Sequence, residues 1–218
     1  MQSSIFTKIP VYKSNRHYRL GDLIYKRGFR WEHDRNIILA GSEYDNTLLK
    51  DYLIAENKVG DIDTLTTVVQ SRKNMIHSQN DQLYVNLRLG DLVDTFYGKQ
   101  CDVLIHRQHV IKKLIEKTIC NNAIDRIIIV TALHYGDNEI DQYWQYNDTS
   151  YQMNKKLFMR LEEDILNNLG IKYEIINQVT HMPQIDFDFI TMCLNKHVIV
   201  DRSQFGDLIN KVRDNIAS

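Results

Sequence analysis

Four short runs of branched and aromatic residues alternate with helix-patterned segments between residues 83 and 216, and this alternation predicts an α/β fold: a parallel sheet with helices on both faces. Three observations carry it. Leu83-Tyr84-Val85-Asn86-Leu87 and Ile127-Ile128-Ile129-Val130 are nearly unbroken apolar stretches, the pattern of strands covered on both sides. The segments between them repeat apolar residues three and four apart, as in Val110, Ile111, Leu114, Ile115 and Ile119. The breakers Gly90, Gly170 and Pro183 fall between these segments rather than inside them.

Taken in order, the first 35 residues are basic, aromatic and weakly periodic, from Tyr12 and Arg16 to Phe29, Arg30 and Trp31. Arginines and aromatics together suit phosphates and the faces of sugars or bases, or else form an irregular layer over the core. Asn36 to Ala40, followed by Gly41-Ser42, reads as a short buried strand and a glycine loop. Thr47 to Glu56 reads as a helix burying Leu48, Leu49, Tyr52 and Leu53, and Asp61 caps a second helix carrying Ile62, Leu65, Val68 and Val69. Regularity begins at Leu83, which divides the chain into a small front subdomain, 1–80, and a main domain, 81–218. The main domain opens with the strand from Leu83, followed by a helix around 106–120 and a strand from Arg126 to Leu133. The long acidic loop 134–150 leads to a helix over 151–168 that Gly170 ends. A third strand spans Lys172 to Ile176, a short helix follows Pro183, and a fourth strand runs from His197 to Val200. Phe205, Leu208, Ile209, Val212 and Ile216 mark the last helix.

Composition narrows the function classes. The 218 residues are 43% hydrophobic and 25% charged, the balance of an ordinary globular protein. Lys+Arg 27 against Asp+Glu 28 gives a net charge of −1, so no global field favours nucleic acid. No apolar run approaches a membrane span, and the start Met1-Gln2-Ser3-Ser4 lacks the pattern of a signal peptide. Cys101, Cys120 and Cys193 are odd in number and widely spaced, which reads as reduced core cysteines of a cytoplasmic protein. No Gly-x-Gly-x-x-Gly and no Walker sequence occurs, and His106 with His109 lacks a third ligand at metal-binding spacing.

Arg88 is the anomaly. A guanidinium near the carboxyl end of an apolar strand is too costly to bury alone, so it meets a carboxylate such as Asp91 or reaches a ligand anion. Its planar fork suits phosphate, and Gly90 permits the tight turn and close approach of a pyrophosphate. Ligands of open parallel sheets sit outside the carboxyl ends of the strands. That rule gathers three loops: Gly90-Asp91, Thr131 to Asp137, and Asp201 to Gln204. Ser203 stands where the last helix begins, as an N-cap, part of an anion site, or both.

Asn86-Leu87-Arg88-Leu89-Gly90-Asp91 resembles the His-x-Arg-x-Gly-Asp motif of the GT-B fucosyltransferases, the α1,2-, α1,6- and protein O-fucosyltransferase group. Asp188-Phe189-Ile190-Thr191-Met192-Cys193, His197 to Val200 and Ser203-Gln204-Phe205 resemble that family's closing pattern, in the same order over residues 83 to 215. The resemblance implies a Rossmann-like, GT-B-like fold with a truncated N-terminal half and a nucleotide-sugar site. Arg88 and the Ser203 region would hold the donor diphosphate, with Thr131 and His134 near the nucleoside. Asn86, Gly90, Asp188 and Gln204 complete the donor set. The family needs no metal or separate cofactor, and GDP-fucose is the donor it suggests. The implied partners are a nucleotide sugar and a glycan or protein acceptor.

Candidate bases for the acceptor proton are Asp91, Asp137 and Glu43. The chain departs from the family at Asn86, where a histidine is expected, and at Thr131-Ala132-Leu133-His134, which replaces Ser-Asp-Asp. The Trp-Trp-Gly segment after Ser-x-Phe is absent. Two alternatives therefore stay open: a polysaccharide pyruvyltransferase-like enzyme, suggested by Gly21-Asp22 together with Arg88, and a GT-B-like binding protein without catalysis.

Overall fold

A computed structural model describes residues 20, 24–25, 31–55, 60–76, 79–87, 101–131, 159, 162–176, 184–200 and 203–218. In chain order its elements are α1 (Trp31–Ala40), α2 (Leu48–Ala55), α3 (Ile62–Ser71), β1 (Gln82–Leu87), α4 (Cys101–Asn121), β2 (Arg126–Thr131), β3 (Lys172–Ile176), α5 (Gln184–Leu194), β4 (His197–Ile199) and α6 (Gln204–Ala217). They fall into two compact units. Of the described residues, those within 79–177 and 196–200 form one, and those within 20–76, 184–195 and 203–218 the other. The last two helices thus belong to the unit of the front helices, whereas a linear division at residue 80 assigns them to the sheet.

The sheet unit has the Rossmann-like α/β architecture that the alternation predicts. Its four strands are all parallel in the order β3-β2-β1-β4. Alternate residues of the strands point to opposite faces. On one face, Leu83, Val85, Leu87, Ile127, Ile129 and Ile199 share a core with Ile111 and Ile115 of α4 and with Leu166. Ile111, Ile115 and Ile119 are four apart, so they form one stripe along α4. The opposite face is buried as well, at Tyr84, Ile128 and Val130, which accounts for the unbroken apolar runs. β3 is the edge, and its Lys172 and Glu174 are exposed, charges that discourage further strand pairing. Glu162–Leu166 forms a π-turn and Asn167–Leu169 a 3-10 turn, closed by Gly170 at φ 64°, a left-handed position that suits glycine.

The helical unit is fixed largely by caps. Asp61 Oδ2 accepts from Thr64 N at 3.0 Å and starts α3 as expected. α2 is capped twice: Thr47 Oγ1 accepts from Lys50 N at 3.0 Å, and Asp186 Oδ2 of α5 accepts from Leu48 N at 3.0 Å. Arg72 closes the end of α3 by donating from Nε to Asp51 Oδ2 at 2.7 Å and from a terminal nitrogen to the Asn46 carbonyl at 3.0 Å. Arg213 of α6 satisfies the carboxyl end of α5, donating to the carbonyls of Met192 and Asn195.

Two expectations are corrected. Residues 36–40 are the second half of α1, not a strand. Asp34 and Ile38 are buried while Ile37 is 41% exposed, a period near four that three consecutive apolar residues conceal. Cys120 lies on the exposed side of α4 rather than in the core, whereas Cys193 is buried and its burial pushes the thiol pKa up. The side chain of Cys101 lies outside the described residues. Among the described residues no helix is long and apolar enough to cross a membrane.

Candidate site at the carboxyl ends of the strands

The chain steps from β1 to β2 to β3 in one direction and then returns to place β4 on the other side of β1. The strand order therefore reverses between β1 and β4, which is where open parallel sheets bind ligands, at the carboxyl ends. Register fixes the geometry. Val85 pairs with Ile199 at the end of β4, and β1 runs on to Leu87, which pairs with Thr131. Arg88-Leu89-Gly90-Asp91 follows directly in the chain.

Asn86 is 7% exposed, and its Nδ2 donates to the Val130 carbonyl at 3.3 Å. A buried amide needs such a partner, and here the partner is the main chain of the neighbouring strand. Asn86 thereby ties β1 to β2 just before both strands end. It tops a polar row on one side of β1 with Gln82 and Tyr84, both buried. Tyr84 Oη donates to Gln82 Oε1 at 2.8 Å, and Gln82 Nε2 donates to Gln79 Oε1. The sequence reads this stretch as an apolar run; the polar row and the interstrand bond emerge only with the register of the sheet.

Burial pushes the Tyr84 phenol above its ordinary pKa of 10.0, with Glu174 and then Asp81 adding to the effect. Tyr173 is raised to about 12 by burial, by its hydrogen bond to Glu162 and by that carboxylate's charge. For a folded pKa above the unfolded one, the stabilisation is complete below pH 10 and is lost as pH rises, because the unfolded chain ionises first. The melting temperature is expected to fall above pH 10, and a pH series on Tyr84→Phe checks this: the variant should show a shallower fall.

The remaining expected residues are distributed as follows. Thr131 is the last residue of β2, beside Leu87 in the ladder. Glu43 lies in the 3-10 turn Ser42–Tyr44, with its side chain outside the described residues. Asp188 is buried on α5 at 4% exposure. Ser203 is the N-cap of α6, its Oγ accepting from Gly206 N at 3.1 Å, and Gln204 is the exposed first residue of that helix. Arg88, Gly90, Asp91, His134 and Asp137 lie outside the described residues. Asn86 and Thr131 are brought together in the sheet unit, whereas Glu43, Asp188, Ser203 and Gln204 belong to the helical unit. Among the described residues no three metal-ligating side chains converge. No protein-family model matches the chain, and neither a curated protein nor a solved structure is detectably similar to it.

Proposed function

We propose that the chain is a glycosyltransferase that moves a sugar from a nucleoside diphosphate donor to a hydroxyl of a glycan or protein acceptor. The observation that supports it is the reversal of strand order between β1 and β4, with Arg88-Leu89-Gly90-Asp91 following β1 at that point. In this reading the acceptor oxygen attacks the anomeric carbon and the bond from that carbon to the diphosphate oxygen breaks. The electron pair leaves with the diphosphate, and the acceptor proton passes to a carboxylate, for which Asp91, Glu43 and Asp137 are the candidates. Arg88 neutralises the leaving diphosphate. Thr131, His134 and Gly90 are the candidate donor contacts that follow β1 and β2 in the chain, and Gln204 remains a candidate on α6. Asn86 and Asp188 are both buried, and Asn86 spends its amide on the Val130 carbonyl.

Thermal denaturation with GDP, UDP, ADP and GDP-fucose tests the reading. A ligand present at about 100 times its Kd adds about 2.7 kcal/mol of stability. For a chain of this size that raises the melting temperature by roughly 5–10 °C. Stabilisation by one nucleoside diphosphate and its sugar identifies the base. A cooperative melt that none of them shifts overturns the proposal in favour of a binding protein without catalysis.

A further inference from the structure

β3 is an open edge of the sheet. Among the described residues no strand pairs with its outer side, so about half of the backbone N–H and C=O groups of Lys172–Ile176 face outward. The opposite edge, β4, has only three residues. The β3 edge also carries apolar side chains that the core does not finish covering. Ile119, Leu169, Ile171, Tyr173 and Ile175 pack against the core between the sheet and α4, and each is only half-buried. On the other face of the strand Lys172 and Glu174 are exposed. One edge therefore combines unpaired main chain, an apolar rim on one face and two opposite charges on the other.

These charges discourage an arbitrary partner strand, but they also select one. A second copy related by a two-fold axis perpendicular to the sheet runs antiparallel to the first and keeps each face of the sheet on its own side. Residues that oppose each other across the axis then lie on the same face, an even number of positions apart in sequence. A pairing centred on Lys172 or on Glu174 sets like charge against like charge. Centred on Tyr173, it sets Lys172 opposite the partner's Glu174, twice by symmetry, Ile171 opposite the partner's Ile175, and Tyr173 opposite the partner's Tyr173. Opposite charges and large apolar side chains in direct opposition stabilise a ladder, whereas like charges weaken it. We infer that the chain forms a two-fold dimer in which β3 pairs antiparallel with β3 of a second copy, centred on Tyr173, joining the two sheets into one. The apolar rims of the copies meet on the α4 face, and the Lys172–Glu174 pairs lie on the other. Because the strands of the two copies run in opposite directions, their carboxyl ends lie on opposite margins of the joined sheet.

Sedimentation velocity over a concentration series reads the association. A species of twice the 25.7 kDa of the chain should form with a Kd on the order of 10 μM or below. Lys172→Glu sets carboxylates opposite each other in both pairs and should weaken the dimer about tenfold or more. Glu174→Lys should do the same with ammonium groups, although it also removes the acceptor of Arg126, which donates to Glu174 Oε2 at 3.2 Å. Combining Lys172→Glu with Glu174→Lys restores opposite charges across the axis and should return the Kd to within about threefold of wild type. Arg126 keeps a carboxylate neighbour in the double variant, since it stands beside position 172 in the ladder. Both positions are exposed, and circular dichroism melts of each variant check that the fold is retained. A monomer at every concentration up to about 100 μM overturns the inference. So does a dimer that Lys172→Glu leaves intact, or a double variant no tighter than either single one.

Discussion

Arg88→Ala is expected to weaken nucleoside diphosphate binding by about 100-fold or more, which removes most of the ligand-induced rise in melting temperature. Truncating one member of a desolvated charge pair costs about 2–5 kcal/mol, and each 1.4 kcal/mol is a factor of ten in affinity. Arg88→Lys separates charge from shape. Lysine retains the charge but not the planar fork, so a loss nearly as large as that of alanine would show that directional hydrogen bonding dominates. The quantity to measure is the difference between liganded and free protein for each variant, since the substitution also changes the stability of the free chain. Equal ligand shifts in wild type and Arg88→Ala would remove Arg88 from the site.

β1 and β2 were legible because each is a nearly continuous apolar run, and β3, with Lys172 and Glu174 alternating with Tyr173 and Ile175, as a half-exposed edge; that the strands run parallel followed from the helix-patterned segments between them. Asp61 and Ser203 were legible as caps because a short polar side chain at the start of an apolar period has few other roles. Residues 36–40 misled because Ile37, Ile38 and Leu39 form the same kind of run as a buried strand, and only the wider window from Trp31 shows the helical period. The grouping of α5 and α6 with the front helices was illegible for a different reason: Asp186 reaches across 138 positions of sequence to cap α2, and no local pattern records that distance.

Ile129→Ala is expected to destabilise the sheet unit by about 3–5 kcal/mol. Ile129 has no solvent exposure and lies in the core that β1, β2 and β4 share with α4. Its truncation loses transfer free energy and leaves a cavity that rigid sheet backbone cannot collapse around, which places the cost at the upper end of the aliphatic-to-alanine range. Ile129→Val, which removes a single methylene, should cost only about 0.5–1.5 kcal/mol. Ile54→Ala is the control, since Ile54 is 65% exposed and its loss should change stability by no more than about 0.5 kcal/mol. The matching variant in the helical unit is Leu65→Ala, at a position with no exposure on α3. Chemical denaturation of the two core variants, read both by circular dichroism and by tryptophan fluorescence, distinguishes one cooperative transition from two. If both substitutions shift a single transition, the two units unfold together; if each shifts its own, they unfold independently, and ligand stabilisation must then be assigned unit by unit. That distinction bears on function, because a nucleotide held at the strand ends would then stabilise the sheet unit and leave the transition of the helical unit unchanged.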